Sequence, residues 1–493
     1  MKSGTTSSGP ELLMELDRAG GRPLRAQLED GLREAVRSGR LPAHSRLPAT
    51  RALASDLRVS RRLVVDAYAQ LLAEGYLVAR HGAGTYVAAT EGMGDSVPSA
   101  APGRSLRLDF FPGAPDLASF PRTLWMRALR DVMRSAPPSA LAYPDPRGAP
   151  ELRAALAAYL RRVRGVVVEP DSIVVCAGAT QGLALLGRAL KRLGTDAIAV
   201  EDPGLPPHRA VLAYAGLDVR GVGVDEQGLE VGSLDVPAVL ATPAHQCPTG
   251  VVLSPARRGE LVRWARAGGL VIEDDYDAEF RYDRAPLGAI QGLAPDRVVY
   301  LGTASKTLAP GLRLGWLVLP GWLIDAVAEA KLLDDFGSPT LDQLVLARLI
   351  ETAAYDRHLR KARRRNRDRR DALIAAVAEC LPGATVSGIS AGLHALVRLP
   401  RAVDAHRLLV AAAGRSLGVY PLTLHQIEPP RETDALVMGY ASLSEPAIAE
   451  GVGVLAEVLA GLYEEEAAAA ASGAERGATR GFAPTNEGGA MSR

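Results

Sequence analysis

Six short apolar runs, each leading into a longer stretch with helical spacing, constrain this chain more than any other feature. They are Ser172-Ile-Val-Val-Cys176, Ala197-Ile-Ala-Val200, Ala238-Val-Leu-Ala241, Gly269-Leu-Val-Ile272, Arg297-Val-Val-Tyr-Leu301 and Trp316-Leu-Val-Leu319. Strands alternating with helices predict a mostly parallel sheet covered on both faces, an α/β architecture. In open sheets of that kind ligands collect at the carboxyl ends of the strands, so chemistry is expected just after these runs. At 493 residues the chain exceeds what one core supports, and two or more domains are expected.

Composition excludes several classes. With 47% hydrophobic and 23% charged residues, neither wholesale disorder nor a fibrous architecture is indicated. Cys176, Cys247 and Cys380 lack metal-type spacing, and an odd number argues against a disulfide framework, so no metal is expected and a reducing compartment fits. No apolar run approaches the ~18 residues needed to span a bilayer, and the polar N-terminus lacks the apolar segment of a signal peptide, which together point to a cytoplasmic protein.

The overall net charge of +1 hides a local excess. Residues 21–88 hold eleven arginines, no lysine and six carboxylates, a net +5 suited to phosphate. Within that segment Leu24, Leu28, Leu32 and Val36 recur every four residues, one face of an amphipathic helix. Gly39 and Pro42 end it, and a second helix runs from Thr50, or a neighbour acting as its cap, to about Leu57. Ser60 is an N-cap for a third helix over Arg61 to about Glu74, with Val64, Tyr68 and Leu71 or Leu72 facing inward and Arg61 and Arg62 projecting from the first turn. Tyr76 to Val87 alternates like two strands around a glycine-rich tip. Two helices joined by a tight turn, the second with arginines at its start, have helix-turn-helix geometry; a three-helix domain with a solvated basic face would show the same periodicity.

Residues 89–107 are rich in Gly, Ser, Pro and Ala and predict a linker with a root-mean-square span of about 25 Å. Residues 1–20 read as a mobile arm, and 464–493 as a disordered Ala/Gly-rich tail. The basic run Arg357 to Arg370 reads as a solvated helix, with a second DNA-tracking surface as the alternative.

Chemistry-bearing residues gather at the predicted strand ends. Gly178-Ala-Thr-Gln-Gly182 follows a strand and opens a helix, whose free N–H groups suit a phosphate. Glu273-Asp274-Asp275-Tyr276-Asp277 closes another strand. Four carboxylates there fit a solvated loop edge, but they also fit one buried carboxylate against a pyridinium nitrogen with a phenol beside the ring oxygen. Lys306 lies between Ser305 and Thr307 after a strand and would supply an amine, and Arg313 could clamp a phosphate through two parallel hydrogen bonds.

Two resemblances organise these pieces. Leu47-Pro-Ala-Thr-Arg51, Val59-Ser-Arg61, Leu71 to Leu77 and Gly82 to Val87 resemble the GntR-family winged helix throughout its length. The resemblance implies DNA contacts for Arg51, Ser60, Arg61, Arg62, His81 and Gly82, while Arg58 stands where that family usually carries glycine. Residues 108–463 resemble the class I aminotransferase fold, PLP fold type I with a smaller C-terminal α/β subdomain, in the version fused behind a GntR winged helix in MocR-type regulators. Further matching pieces include Asp109 to Gly113, Pro115-Asp116, Tyr143 to Gly148, Glu201 to Gly204, Thr242 to Gly250 and Gly392-Leu-His394.

By resemblance, Lys306 is the Schiff-base lysine of pyridoxal 5′-phosphate, Asp274 the pyridine partner and Tyr276 the partner of the ring oxygen. Ala179, Thr180, Ser305 and Arg313 are implied phosphate ligands, joined by Tyr143 from a neighbouring subunit, so a homodimer is implied. Two departures follow: Leu205 stands where the family places a ring-stacking tyrosine, and Leu436 to Ala441 lacks the arginine with which aminotransferases grip a substrate carboxylate. The expected function is a PLP-dependent, DNA-binding transcriptional regulator that senses a small-molecule effector, an amino compound or PLP itself. The alternatives are a working aminotransferase with an accessory DNA domain, and a DNA-binding protein whose effector domain has lost the cofactor.

Overall fold

The computed structural model describes residues 16–18, 21–38, 40–80, 84–88, 106–283 and 287–478. The chain divides into two compact units, Met1–Arg104 and Ser105–Arg493.

The first unit holds helices α1 (Leu24–Arg37), α2 (Thr50–Asp56) and α3 (Arg61–Ala73), then a hairpin of β1 (Leu77–Arg80) and antiparallel β2 (Gly84–Val87). The four-residue stripe of α1 closes onto Val64, Ala67, Tyr68 and Leu71 of α3 in one small core. Arg33 on α1 ties the two helices by placing Nε and Nη2 each 2.7 Å from the Glu74 carboxylate. The Ser60 hydroxyl caps α3, accepting from the Leu63 amide at 3.2 Å. Helix α2 differs from the sequence expectation: Ala49 precedes it without a side-chain cap, and Thr50 is its first helical residue. Part of the expected mobile arm is anchored, since the Asp17 amide donates to Gln27 Oε1 at 2.8 Å and Arg18 Nη2 donates to the Arg58 carbonyl at 2.7 Å.

The second unit opens with β3 (Leu108–Asp109), α4 (Arg122–Ser135), α5 (Pro150–Arg164), β4 (Ile173–Cys176), α6 (Ala179–Arg192), β5 (Ala197–Asp202) and α7 (Pro206–Tyr214). It continues through β6 (Asp218–Asp225), β7 (Gly228–Leu229), β8 (Ala238–Ala241), α8 (Pro255–Arg266), β9 (Leu270–Asp275), β10 (Val298–Thr303) and β11 (Gly315–Val318). The last part comprises α9 (Gly321–Asp335), α10 (Thr340–Glu351), α11 (Ala354–Cys380), β12 (Thr385–Ser387), β13 (His394–Asp404), α12 (Ala405–Gly414), β14 (Leu417–Gly418), β15 (Glu432–Gly439) and α13 (Glu445–Ala478).

Eight strands form the main sheet in the order β4-β11-β10-β9-β8-β5-β6-β7. The central pairs from β10 through β9, β8 and β5 to β6 are parallel; β11 is antiparallel to both its neighbours, and β7 to β6. Strands β4, β8, β9, β10 and β11 are buried along their whole length, which is why the runs read from the sequence within them are apolar throughout. A second antiparallel sheet, β12-β13-β15, packs with α11, α12 and α13 around Leu373, Val397, Leu408, Met438 and Ile448.

Two sequence expectations fail here. The tail does not lose structure at Glu464: α13 runs to Ala478, and residues 479–493 lie outside the described part. Its alanine and glutamate content favours helix, and Glu466 and Glu465 pair with Arg401 and Arg407. The same helix over Glu445–Ala468 is long and apolar enough by composition to cross a membrane, contrary to the sequence reading. Ile448, Val452, Leu455, Leu459 and Leu462 instead point into the second core.

Arg58 adopts φ 52°, the left-handed conformation that glycine adopts without strain. Arg58→Gly is therefore expected to stabilise the first unit by about 0.5–1 kcal/mol, the relief of strain partly offset by a more flexible unfolded chain. Thermal unfolding checks this; a lower midpoint in the variant would show that the arginine side chain contributes more than its backbone costs.

Candidate functional site

Five strands deliver their carboxyl ends to one place. After β4 the chain turns at Gly178, φ 82°, into α6, whose first-turn N–H groups at Ala179 and Thr180 have no acceptor within the helix. Arg313, itself left-handed at φ 52°, lies against that turn and donates from Nη2 to the Ala177 carbonyl. A Cβ on Gly178 would stand 3.2 Å from both Arg313 terminal nitrogens, so glycine allows guanidinium and helix start to meet. Ser305 joins from the end of β10, its hydroxyl 2.9 Å from Thr303 Oγ1. These groups gather hydrogen-bond donors and positive charge in one place, a set that fits a dianionic phosphate.

Lys306 follows, on a loop held from α11 by His358, which contacts the Thr307 carbonyl at 2.8 Å, and by Tyr355, which donates to Thr307 Oγ1 at 2.8 Å. Gly113, φ +73°, covers the amine; a Cβ there would come within 3.2 Å of Lys306 Nζ.

The acid run ending β9 is buried throughout, not the solvated edge it could have been. Alternation along the strand divides its carboxylates. Glu273 accepts the Ile290 and Gln291 amides at 2.9 Å each. Asp275 accepts Arg164 Nε at 2.7 Å, Arg164 Nη2 at 2.9 Å and the Tyr300 hydroxyl at 2.6 Å. Asp277 lies 3.0 Å from His245 Nδ1.

Asp274 faces the other way, toward the pocket, and neither of its oxygens has a hydrogen-bond partner. His208 Nδ1 is 3.4 Å away. Burial first, then the neighbouring Asp275 and Asp277 carboxylates, push the Asp274 carboxyl up to about 8 against the pull of Lys306. A buried carboxylate without a donor is costly, and a protonated ring nitrogen would satisfy it. The residues present therefore fit pyridoxal phosphate: an orphaned acid, an amine and a phosphate cradle at adjoining strand ends.

Tyr276 is buried beside Asp274, its hydroxyl donating to the His245 carbonyl at 3.0 Å, and burial and the Asp277 carboxylate raise its phenol far above the usual range. Tyr143 stands apart, 91% exposed, with Phe336 its ring neighbour at 6.2 Å. Leu205 lines a small cavity with Glu201, His208, Thr242 and Cys247. Burial holds the His208 imidazole down at about 4 and pushes the Glu201 carboxyl up to about 7.

Sequence reasoning gave no role to His208, nor to Glu201 and His245, although the last two lie within matched stretches. The one available signal was His208 on the helix turn after Leu205. Nor did spacing reveal that His245, Asp277 and His394 bring ligand-type atoms within 4.8 Å of one another. Tyr276 and Asp277 already occupy His245 Nδ1.

In the first unit, Arg51 at the start of α2 and Arg61 and Arg62 in the first turn of α3 are exposed, as is Ser60. Asp66 lies 4.0 Å from Arg62. His81 and Gly82 fall outside the described residues. Arg80 on the hairpin stacks over Tyr86 at 4.8 Å, a basic residue the sequence reading did not single out.

Residues 24–87 match the family of bacterial regulatory proteins of the gntR type, and residues 113–421 match aminotransferase class I and II. The chain is 32% identical over 470 residues to the probable rhizopine catabolism regulatory protein MocR of Rhizobium meliloti, covering 90% of this chain and 95% of that one. It is 35% identical over 431 residues to the pyridoxine biosynthesis regulator PdxR of Corynebacterium glutamicum, covering 85% and 92%. Among solved structures, a multiple substrate aminotransferase from Thermococcus profundus superposes with a TM-score of 0.68 at 27% identity, over 74% of this chain and 93% of that one.

In cofactor-free protein Asp274 keeps its proton up to about pH 8, whereas an unfolded aspartate loses it near pH 4. The folded state binds the extra proton across that window, so this contribution is full below about pH 4 and is lost as pH rises through about 8. Asp274→Asn is expected to remove that slope and raise the melting temperature of cofactor-free protein at the alkaline end. Glu201 and Glu273, both pushed up to about 7 by burial, titrate in the same window, so the wild-type minus variant difference is diagnostic. Parallel profiles would refute the placement of Asp274.

Proposed function

Because this chain belongs to the MocR-type regulators, GntR-family winged helices joined to an aminotransferase class I and II domain, we propose that its second unit senses an amino compound or PLP itself. It is a PLP-dependent, DNA-binding transcriptional regulator. The observation that carries the sensing reading is the buried, unpartnered Asp274 carboxyl beside Lys306 on a chain that also presents a winged helix.

When bound, pyridoxal phosphate supplies an electrophilic carbon for amines and a ring that withdraws electrons. Lys306 provides the amine that holds the cofactor. Asp274 keeps a proton on the ring nitrogen, and the Tyr276 phenol serves the ring oxygen. The Ala179 and Thr180 amides, the Ser305 hydroxyl and the Arg313 guanidinium bind the phosphate. Tyr143, exposed in a single chain, serves the phosphate of the partner subunit, so the regulator works as a homodimer. Leu205 stands where the family places a ring-stacking tyrosine, and the buried His208 lines the same small cavity. The absence of an arginine from Leu436 to Ala441 favours sensing over turnover, since a substrate would lack its usual orienting contact there. One relative is named for pyridoxine biosynthesis, which supports B6 vitamers as effectors to test first.

On DNA, the first turn of α3 enters the major groove, with Arg61, Arg62 and Arg51 on base edges and phosphates. The wing tip, with His81 and Gly82, reaches the minor groove.

Lys306→Ala is expected to abolish the visible absorbance of the bound cofactor and its covalent retention after borohydride. A reducible adduct surviving on the variant would exclude Lys306 as the attachment point. The Arg61→Ala/Arg62→Ala double variant should lose about 1–3 kcal/mol of operator affinity for each base contact, or about one unit of salt slope for each phosphate contact. Equal binding by a folded double variant would refute this docking of α3.

A further inference from the structure

The guanidinium absent from β15 has a counterpart on α11. The basic run Arg357 to Arg370 is helical, but the solvated face expected from its composition is only half the picture. Arg363 donates from Nε to the Glu279 carbonyl at 2.8 Å, Arg370 donates from Nη1 to the Ile389 carbonyl at 2.8 Å, and Arg369 donates to the Ala441 carbonyl just beyond β15. Arg365 and Arg369 converge on one acceptor: Arg365 Nε and Arg369 Nη2 each lie 3.0 Å from Asp116 Oδ2.

That acceptor belongs to the segment covering Lys306. Gly113 abuts the lysine amine, and Asp116, Lys306, His358, Arg365 and Asn366 line one small cleft. The Asp116 side chain is 7% exposed and also bonds the Ser119 hydroxyl at 2.5 Å. The arrangement has spare capacity. Arg365 Nε lies near the carboxylate without a hydrogen-bonding alignment, and the buried Asn366 Oδ1 has no donor. Two cations share one carboxylate beside the cofactor amine, with unused polar atoms on the same wall.

We propose that Arg365 and Arg369 form the binding site for an acid group of the effector, and that Asp116 is a resident carboxylate which that acid displaces. The effector class is then an amine bearing a carboxylate or similar anion, its amine toward Lys306 and its acid on α11. The exchange conserves charge, since one anion leaves the guanidinium pair as another arrives, and it releases the Gly113–Asp116 segment from α11. This rests on the sensing reading above, and deepens it by naming the chemistry of the ligand.

The test titrates cofactor-loaded, full-length protein with β-alanine, L-alanine and propylamine, reading the visible absorbance of the cofactor. An acid-bearing probe should act at a concentration about tenfold lower than propylamine. Asp116→Asn, which removes the competing charge, should widen that preference by about a further tenfold, while the Arg365→Gln/Arg369→Gln double variant should collapse the ratio to about one. Because one change strengthens binding and the other weakens it, general misfolding cannot imitate both. Equal response to propylamine and the acids in wild type, no response to either acid, or wild-type preference in both variants would overturn the proposal. The underlying reading fails separately: no visible band that depends on Lys306 would remove the sensor itself, whereas a normal band with no acid preference removes only this site.

Discussion

The pocket depends on the ion pair between Arg164 and Asp275. Both side chains are almost wholly buried, and the guanidinium grips the carboxylate through two nitrogens while Tyr300 donates a third hydrogen bond. Such a pair offsets much of its desolvation cost only because its geometry is nearly complete. Its consequence is directional. With Glu273 held by backbone amides and Asp275 by Arg164, the end of β9 cannot rotate, and Asp274 is fixed toward Lys306. A strand alternates its side chains, so anchoring one face aims the other.

The strands were legible because burial on both faces favours apolar residues along them, and all six runs contribute strands of the main sheet. The α1 and α3 stripes were legible for the matching reason, a four-residue recurrence with a single buried face. Asp274 was singled out by resemblance alone, because four adjacent acids carry no periodic signal telling one from another. Its neighbours' partners, Arg164, Ile290, Gln291 and His245, lie elsewhere in sequence, so that division of labour exists only in the folded chain. Arg365 and Arg369 were misread for the same reason. Polar tertiary partners such as Asp116, and carbonyls such as Ala441, turn arginines inward where composition suggests solvent. The C-terminal segment failed differently: alanine and glutamate signal neither core nor disorder until Arg401 and Arg407 are seen opposite.

Glycines at two pocket positions show how closely the backbone is fitted to charge. At Gly178 a Cβ would stand 3.2 Å from Arg313 and at Gly113 3.2 Å from Lys306, so either cation would have to give by a few tenths of an ångström, on top of the strain that a side chain meets at these positive φ values. Arg58 and Arg313, two of the left-handed non-glycine residues, are the converse case: a side chain is retained despite backbone strain. For Arg313 the reason is visible in its reach to the α6 turn, whereas nothing among the described residues explains the side chain of Arg58.

The unpartnered Asp274 carboxyl also bears on how much of the protein a cell contains. A ligand that binds only the folded state stabilises it by about 2.7 kcal/mol at a hundredfold excess over Kd, and chains that open less often meet proteases less often. Vitamin supply would then set the lifetime of the regulator as well as its occupancy. A cell short of the cofactor would hold fewer copies, and its promoters would register scarcity through dosage alone.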